Sequence, residues 1–256
     1  MPPHSPPDRA GRVSLIGAGP GDPELLTMRA LRVLQQADVV LFDRLVGPGV
    51  LDLAPAHARR IDVGKRCGRH AMSQAAINRL ILDHVRGGAH VVRLKGGDPS
   101  IFGRGGEEIE CLEQAGIGVE VVPGITTACA VAASLRVPLT HRDVAHRLHF
   151  VTGHGRQGPG SAEDWAALAA GGGTLAVYMG VRAMPGLVAQ LLASGLPPGT
   201  PAVAVENATL PAERRIDARV ADLPEAVAGL EGPTLVLIGT VLERRAIAIG
   251  EVRKIA

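Results

Sequence analysis

Two glycine-rich segments that also carry a carboxylate are the first candidates for chemistry in this chain of 256 residues. GAGPGDP, residues 17–23, follows the aliphatic run RVSLIG, and KGGDP, residues 95–99, follows the run HVVRL. Glycine lets a ligand approach the main chain, and a carboxylate can accept hydrogen bonds from a ribose or an amine. Because the carboxyl ends of parallel strands meet at one edge of a sheet, the two loops together predict a ligand crevice.

Neither segment matches a common nucleotide-binding loop in full. The first has the G-x-G part of a dinucleotide loop, but Asp22 stands where G-x-G-x-x-G has its last glycine. Asp22 and Glu24 place negative charge at the predicted helix start, where a pyrophosphate would bind, and this disfavours NAD. KGGDP is not a Walker loop, because no Gly-Lys-Ser/Thr follows its glycines. A nicotinamide-dependent dehydrogenase is therefore an alternative that the pattern disfavours.

Short aliphatic runs alternate with helical patterns along most of the chain. The runs RVSLIG, DVVLF, HVVRL and GVEVV predict strands in the first half, and LHFVTG, TLAVYM, AVAVE and TLVLIG predict strands in the second. A helix is predicted from Pro23 to Gln36, and another after Ser73, whose hydroxyl can cap it. This alternation favours an α/β fold class, with two α/β domains and mostly parallel sheets.

The predicted domain organisation has four parts. Residues 1–11 are proline-rich and polar, which is typical of a disordered tail. Residues 12–137 form an N-terminal α/β domain that carries both glycine loops. Residues 138–147, where proline and charge interrupt the pattern, form a linker, and residues 148–256 form a C-terminal α/β domain.

Composition and charge exclude several classes of function. The formal net charge of +2 gives no whole-chain argument for nucleic acid or an acidic membrane surface as a partner. The three cysteines form no CxxC pair, so a structural zinc site is not expected, and they suit a reducing compartment. No stretch resembles a signal peptide or reaches membrane-spanning length. We therefore expect a cytoplasmic enzyme without a metal.

A series of motifs, in order along the chain, resembles those of one enzyme family. They are VSLIGAGPGDPELLTMRALRVLQQADVVLFDRLV, GKRCGRHAMSQ, VVRLKGGDPSIFGRGGEE, VVPGITTA, VPLTHRD, VTGH, YMG and VENATLPAERR. They are similar to the motifs of the tetrapyrrole methylases, and the block RLKGGDP…FGRGGEE followed by PLTHR resembles the uroporphyrinogen III C-methyltransferases among them. The GAGPGDP loop alone is shared with related methylases of the cobalamin pathway.

This resemblance implies a fold, a methyl donor and a set of ligand contacts. It implies an active-site cleft between two α/β domains, a homodimer, and S-adenosylmethionine as donor with S-adenosylhomocysteine as product. Carried over by motif, the cofactor-binding residues are Pro20, Gly96, Gly97, Asp98, Ile101, Thr126, Thr127, Met179 and Ala208. Gly103 and Gly105 would let the loop turn toward the substrate, while Glu107 and Glu108 are expected only to cap the following helix.

Proton transfer and substrate binding are assigned by the same resemblance. It implies proton-transfer roles for Asp43 and Lys65. A uroporphyrinogen carries many carboxylates, which arginine binds through two parallel hydrogen bonds. The expected substrate ligands are arginines in the motif loops, namely Arg44, Arg66, Arg104 and Arg142. Four positions depart from residues common in the family, namely Phe42 for tyrosine, Ala71 for serine, Ala208 for glycine and Glu213 for glutamine.

The predicted reaction converts uroporphyrinogen III to precorrin-2 by two successive ring methylations, in siroheme or cobalamin biosynthesis. The pyrrole carbon of a reduced porphyrinogen is already nucleophilic, so the protein has to position donor and acceptor and manage ring protons. Two alternatives stay open beside the dehydrogenase. One is another precorrin methyltransferase that accepts a later corrin intermediate, and the other is a non-catalytic adenosylmethionine-binding regulator.

Overall fold

A computed structural model describes residues 10–64, 72–153, 168 and 171–243. The chain divides into two compact units between Thr126 and Thr127. Each unit is built around one five-stranded sheet. None of the helices in the described ranges has the length and apolar character that crossing a membrane requires.

The sheet of the first unit is entirely parallel. Its strands are β1 (Arg12–Gly17), β2 (Val39–Phe42), β3 (Arg59–Asp62), β4 (His90–Lys95) and β5 (Val119–Val122). Its helices are α1 (Met28–Leu34), α2 (Pro48–Leu51), α3 (Gln74–Arg86) and α4 (Gly105–Gln114), with a 3-10 turn at Pro23–Leu25. The strand order is β3-β2-β4-β1-β5. All five carboxyl ends therefore lie along one edge.

The buried strands explain this arrangement. All six residues of β4 are buried, as a strand covered by helices on both faces requires. On one face of the sheet, Ile16 and Val40 pack with Leu34 of α1. On the other face, Leu41 packs with Ile81 of α3. The aliphatic runs in the sequence thus become the central layer of a three-layer unit.

The helix predicted over residues 23–36 is interrupted. The 3-10 turn Pro23–Leu25 is capped by the Asp22 carboxylate, and α1 begins only after Thr27. The Thr27 hydroxyl accepts a hydrogen bond from the Ala30 N–H at 3.2 Å. Each cap requires extended backbone at its own position, so two consecutive caps produce two short helical segments instead of one helix.

The sheet of the second unit is mixed. Its strands are β6 (Leu148–Thr152), β7 (Thr174–Tyr178), β8 (Pro201–Glu206), β9 (Arg214–Arg219) and β10 (Thr234–Ile238). Its helices are α5 (Thr127–Leu135), α6 (Met184–Ala193) and α7 (Leu223–Ala226), with 3-10 turns at Val181–Ala183, Val220–Asp222 and Thr240–Glu243. The strand order is β6-β7-β10-β8-β9. Only β6 and β7 pair in parallel among these described strands.

Strand β10 accounts for the difference from the predicted parallel arrangement. It lies between β7 and β8 and runs antiparallel to both, so β7 and β8 end at the same edge of the sheet. Strand β9, with the sequence RRIDAR, was not predicted, because as an edge strand it is only half-buried at alternate positions and carries no aliphatic run. The predicted fold class of two α/β units is confirmed, with this second sheet mixed.

Helix α5 belongs to the second unit. Ala128, Val131 and Leu135 share a core cluster with Leu235 and Leu237 of β10. The helix is built from small and apolar residues and packs on the sheet that follows it in the chain. The observed division therefore precedes α5, whereas the predicted linker at residues 138–147 follows it.

Candidate functional site

Four loops follow neighbouring strands at the carboxyl edge of the first sheet, where ligands bind in open α/β sheets. They are residues 18–22 after β1, 43–47 after β2, 96–104 after β4 and 123–126 after β5. These loops carry the predicted cofactor-binding, proton-transfer and substrate-binding residues of the observed first unit, apart from two. Those two, Lys65 and Arg66, lie outside the described residues, as does the departure at Ala71.

The loops after β1, β4 and β5 are packed backbone against backbone. The Gly19 N–H donates to the Gly97 carbonyl at 3.2 Å, and the Gly97 N–H donates to the Gly19 carbonyl at 2.7 Å. A Cβ on Gly17 would lie 2.5 Å from the Cα of Gly124, and a Cβ on Gly124 would collide with the carbonyl oxygen of Gly97. Glycines at 17 and 124 are therefore required by the packing of the loops on one another.

The Asp98 side chain ties the loop after β4 to the loop after β5. Its Oδ2 accepts a hydrogen bond from the Gly124 N–H at 3.0 Å. Its Oδ1 accepts from the Ser100 N–H at 2.8 Å, and the Ser100 hydroxyl also donates to it. Both carboxylate oxygens thus bind the protein itself. The motif KGGDP predicts only a ligand contact at Asp98, and nothing in it indicates this clamping role.

Gly97 has a different environment from the glycines around it. Its φ is +67°, and among the described residues only the Cα of Thr126, at 3.9 Å, would come within 4 Å of an added Cβ. Gly96, in contrast, is covered, because a Cβ there would collide with the side chain of Leu45. The left-handed backbone favours glycine at 97, and an added Cβ there would point into space that no other described atom occupies within 4 Å. A ligand that approaches the main chain fits best here.

The other cofactor candidates of the first unit surround Gly97 in the same loops. Pro20 and Ile101 are half-buried, and Thr126 is buried. The Ile101 N–H donates to the Asp98 carbonyl at 3.2 Å, which fixes the turn after the glycines. The structure therefore brings together those cofactor candidates that belong to the first unit.

Asp43 follows β2 at the same sheet edge. Its Oδ1 accepts a hydrogen bond from the Leu45 N–H at 3.0 Å, and its Oδ2 lies 3.6 Å from a terminal nitrogen of Arg93. The side chain of Asp43 is 25% exposed, whereas that of Arg93 is 5% exposed. The carboxylate is thus held in one orientation by the Leu45 N–H and the buried Arg93 and still reaches solvent, where it can contact a bound molecule.

A buried network of charges continues from Arg93. Glu108 Oε1 accepts from Arg93 Nε at 3.1 Å, and Glu108 Oε2 accepts from Lys95 Nζ at 3.1 Å. The Gln74 amide also donates to Glu108 Oε1 at 3.1 Å. Burial lowers the pKa of the Lys95 ammonium below its ordinary value, and Arg93 lowers it further, while Glu108 opposes both effects.

The expectation that Glu108 only caps a helix missed this network. Arg93 and Lys95 are alternate residues of β4 and project to the same face of the sheet. Two cations on one face of an otherwise apolar strand need an anionic partner, since buried charges are paired. That spacing was the available signal, and Glu108 in the first turn of α4 is the partner.

Arg104 forms an exposed ion pair with Glu107. Arg104 Nε donates to Glu107 Oε1 at 2.7 Å, and a terminal nitrogen donates to Oε2 at 2.6 Å. The two side chains are 58% and 51% exposed. The hydrogen bonding of Arg104 to the Glu107 carboxylate raises the pKa of the Arg104 guanidinium. Arg104 is therefore accessible to a ligand, although two of its nitrogens already donate to the Glu107 carboxylate.

The glycines on either side of Arg104 serve packing. A Cβ on Gly103 would lie 2.9 Å from Lys95 Cε, and a Cβ on Gly105 would collide with the carbonyl oxygen of Pro99. These contacts give both glycines a packing role, and the turning of the loop toward a substrate stays a prediction.

The remaining cofactor candidates lie in the second unit. Thr127 begins α5, Met179 follows β7 and Ala208 follows β8. Met179 has a φ of +52°, and the two neighbours of Ala208, Asn207 and Thr209, have φ values of +51° and +68°. A non-glycine residue in this region costs about 1–3 kcal/mol, and such residues concentrate at functional sites. The strained turns share one edge of the second sheet, since β7 and β8 end there.

The two other described arginine candidates are exposed. Arg44 lies in the loop after β2, where its Cγ lies against Gly64. Arg142 lies at the tip of a turn in which His141 and Ala145 exchange backbone hydrogen bonds of 2.8 and 2.9 Å. Across the ranges that the structure covers, no three His, Cys, Asp or Glu side chains are arranged to hold a metal ion.

Residues 12–224 match the family described as Tetrapyrrole (Corrin/Porphyrin) Methylases. The chain belongs to this family. The match spans both glycine loops, the strained turns after β7 and β8, and most of both units, so the resemblance inferred from the motifs is confirmed.

Individual members of the tetrapyrrole methylases are similar over most of this chain. Uroporphyrinogen-III C-methyltransferase of Paracoccus denitrificans is 51% identical over 233 residues, which cover 90% of this chain and 81% of that relative. Siroheme synthase 2 of Halorhodospira halophila is 53% identical over 234 residues, which cover 91% of this chain and 47% of that relative. The chain spans about half the length of the siroheme synthases it matches.

One solved structure that is similar to this chain contains a bound ligand. It is uroporphyrin-III C-methyl transferase from Thermus thermophilus complexed with S-adenyl homocysteine. The TM-score is 0.80 and the identity 44%, over 91% of this chain and 100% of that chain.

Proposed function

We propose that the protein is an S-adenosylmethionine-dependent C-methyltransferase that converts uroporphyrinogen III to precorrin-2 by two successive ring methylations. The product would feed siroheme or cobalamin synthesis. The observation that carries the proposal is the open face of the left-handed Gly97 at a sheet edge that also holds Asp43. The 51% identity to a uroporphyrinogen-III C-methyltransferase supports the choice of substrate.

The loops around Gly97 fit an adenosyl donor. The absence of a side chain at Gly97 leaves room for a donor to lie against the main chain, while Pro20 and Ile101 offer half-buried apolar surface for a flat ring. S-adenosylmethionine supplies an electrophilic methyl group when bound. The residues proposed to bind it are Pro20, Gly96, Gly97, Asp98, Ile101, Thr126, Thr127, Met179 and Ala208. The bound S-adenyl homocysteine in the Thermus thermophilus relative supports this choice of donor.

Asp43 is the residue proposed to manage a proton of the acceptor. A ring carbon that gains a methyl group becomes neutral again when the ring system loses a proton. The Asp43 carboxylate can accept that proton, because the Leu45 N–H and Arg93 fix its orientation while it remains partly exposed. A positioned acid or base of this kind contributes about 10²–10⁴-fold in rate. Lys65 is proposed as a second proton-transfer residue on the family resemblance.

The acidic tetrapyrrole is proposed to bind to arginines of the motif loops. Arg44, Arg104 and Arg142 are exposed, which leaves their guanidinium groups accessible to carboxylates in solution. Arg66 joins them on the family resemblance. At Arg104, a substrate carboxylate would exchange with Glu107, which occupies the same fork of donors. Substrate binding at this position therefore competes with an existing ion pair.

The assembly and location are also proposed from resemblance and composition. We propose a homodimer that acts in the cytoplasm and needs no metal. Sedimentation at micromolar concentration tests the first point, because a dimer has twice the chain mass of 26.5 kDa. A species at the chain mass would contradict it.

Mass spectrometry of the product tests the proposed reaction. Anaerobic incubation with uroporphyrinogen III and S-adenosylmethionine should add two methyl groups. Asp43→Asn should lower kcat while affinity for S-adenosylhomocysteine is kept, since proton transfer acts in the transition state. Asp52→Asn, at an exposed aspartate, is the matched control and should behave as the wild type.

The alternatives give different results in the same assay. Binding of S-adenosylhomocysteine without methylation of any tetrapyrrole would favour a regulator. Methylation of a later corrin intermediate, with uroporphyrinogen III unchanged, would favour another precorrin methyltransferase. Stabilisation by NADH but not by S-adenosylhomocysteine would favour the dehydrogenase.

A further inference from the structure

The turn after β8 contains backbone strain that must be held by other contacts. Asn207 and Thr209 both have positive φ values, +51° and +68°. For a β-branched residue such as Thr209, this conformation is a genuine outlier. Strained residues keep such a conformation only when the surrounding structure determines it. The contacts of the turn therefore identify what holds it.

The start of the turn is fixed by Glu206, the last residue of β8. Glu206 Oε1 accepts hydrogen bonds from the Glu231 N–H at 2.9 Å and the Gly232 N–H at 2.6 Å. The Asn207 N–H donates to the Pro233 carbonyl at 2.8 Å. The segment that precedes β10 thus anchors the turn at Asn207.

The end of the turn is fixed by Glu213. Glu213 Oε2 accepts a hydrogen bond from the Thr209 N–H at 2.7 Å. Glu213 Oε1 accepts from Arg215 Nε at 2.7 Å, and a terminal nitrogen of Arg215 lies 2.6 Å from the same oxygen. Arg215 also donates to the Ser134 carbonyl in α5 at 3.4 Å. One carboxylate therefore holds the strained residue with one oxygen and is itself fixed through the other.

Ala208 lies between the two left-handed residues and is 5% exposed. Its side chain is a methyl group, so polar recognition at this position uses the main chain. The direction of its peptide groups depends on the backbone angles of Asn207 and Thr209. A contact that fixes Thr209 consequently fixes the groups that Ala208 presents.

We propose that Glu213 is a positioning residue for the adenosyl-donor contact at Ala208, acting through the Thr209 N–H. This inference rests on the proposed function. The carboxylate is matched to Arg215, because both of its oxygens accept. A glutamine here could accept from Thr209 with its oxygen, but its NH₂ group would face the donors of Arg215. The departure from glutamine at 213 is therefore coupled to the arginine at 215.

Calorimetry with S-adenosylhomocysteine on the full chain tests the proposal. Glu213→Ala should raise Kd about tenfold, the effect of one lost hydrogen bond to a charged acceptor. At saturating S-adenosylmethionine, kcat should stay within about twofold, since the change affects binding. Glu225→Ala, at an exposed glutamate of α7, is the matched control and should leave Kd unchanged. A lower Tm with wild-type Kd in Glu213→Ala would mean a purely structural role and would overturn the proposal.

A double variant provides the rescue and guards against an unstable single variant. Glu213→Gln combined with Arg215→Met keeps an acceptor for the Thr209 N–H and removes the mismatched donor. Its Kd should lie near that of the wild type, whereas Glu213→Gln alone should bind more weakly. A double variant that binds no better than Glu213→Gln would overturn the coupling to Arg215. A wild-type chain that does not bind S-adenosylhomocysteine would overturn the proposed function together with this inference.

Discussion

Asp98 and Gly124 are joined by a hydrogen bond in which the Gly124 N–H donates to Asp98 Oδ2 at 3.0 Å. The bond links the loops after β4 and β5, two strands that are separated in the sheet by β1. The other oxygen of the same carboxylate holds the Ser100 N–H. Asp98 is therefore a clamp between loops whose strands do not touch.

Loss of this clamp should weaken donor binding. Asp98→Ala removes the acceptor of two backbone donors, and one lost hydrogen bond to a charged group is worth about 1.5–3 kcal/mol. We expect Kd for S-adenosylhomocysteine to rise about tenfold or more and Tm to fall. Asp98→Asn, which keeps one acceptor oxygen, should lie between Asp98→Ala and the wild type. Calorimetry and thermal melts measure both effects, and a wild-type Kd in Asp98→Ala would contradict the role of the clamp.

Gly97 and Gly116 form a matched pair for testing the ligand site. Both have positive φ, +67° and +74°, and neither position is sterically blocked, since an added Cβ on Gly116 would meet no described atom within 4 Å. Alanine at either position should therefore cost a similar amount, about 1–2 kcal/mol, in unfolding free energy. Only Gly97→Ala should also abolish or strongly weaken S-adenosylhomocysteine binding. Equal affinity in the two variants would remove Gly97 from the site.

Alanine variants of Arg104 and Glu107 can distinguish an effect on substrate binding from an effect on local stability. Because the pair is exposed, it contributes about 0–1 kcal/mol, and neither Arg104→Ala nor Glu107→Ala should change Tm appreciably. Arg104→Ala should raise KM for uroporphyrinogen III about tenfold through loss of a charge-assisted carboxylate contact. Glu107→Ala should not raise KM, since it removes the competing carboxylate. Steady-state kinetics test this, and a folded Arg104→Ala enzyme with wild-type KM would refute substrate binding by Arg104.

Among the carboxylates of α4, the removal of Glu108 should lower the free energy of unfolding the most. Glu108→Ala leaves Arg93 and Lys95 buried without their shared partner, and breaking a buried ion pair costs about 3–5 kcal/mol. Glu110→Ala, at an exposed position of the same helix, should stay within about 0.5 kcal/mol of the wild type. Urea unfolding followed by circular dichroism compares the two. Similar losses of unfolding free energy in both variants would contradict a stabilising role of the buried ion pairs of Glu108.

His90 should make stability depend on pH in the weakly acidic range. Burial lowers the pKa of His90 below its ordinary value of 6.5, although the carbonyl of Gln36 opposes this. The unfolded chain then binds the proton more readily than the folded chain. The stability that neutral, buried His90 contributes is fully present above pH 6.5. It falls as the pH drops below that value and is lost once the pH is below the pKa of His90 in the folded chain. His90→Gln should flatten the pH dependence of the unfolding free energy in that window, and an unchanged slope would contradict this.

The strands β1, β2, β4 and β5 of the first sheet were predictable because each contains a local signal, whereas the edge strand β3 was not predicted. The run HVVRL at β4 is bounded by glycines on both sides, and the position of β4 at the sheet centre agrees with its apolar character. Strand β9 has no such signal. Its residues pair with β8, and this pairing depends on tertiary context that the letters RRIDAR do not reveal.

The location of the candidate site was predictable from the sequence, but several of its contacts were not. The loops at Gly19 and Gly97 were expected to lie together, and their paired hydrogen bonds agree with this. The packing role of Gly124 and the burial of Glu108 were missed. Both depend on residues far apart in the chain, because a glycine required by another loop looks the same in sequence as one required by a ligand.

The position of β10 has a consequence for biosynthesis. It is the last described strand to be translated, yet it joins β6-β7 to β8-β9 in the middle of its sheet. The first sheet uses residues only as far as Val122, so it can close early on the ribosome. Until residues 234–238 emerge, β7 and β8 each present an unpaired edge, which is a template for aggregation. The nascent second unit therefore carries these unpaired edges until β10 has been synthesised.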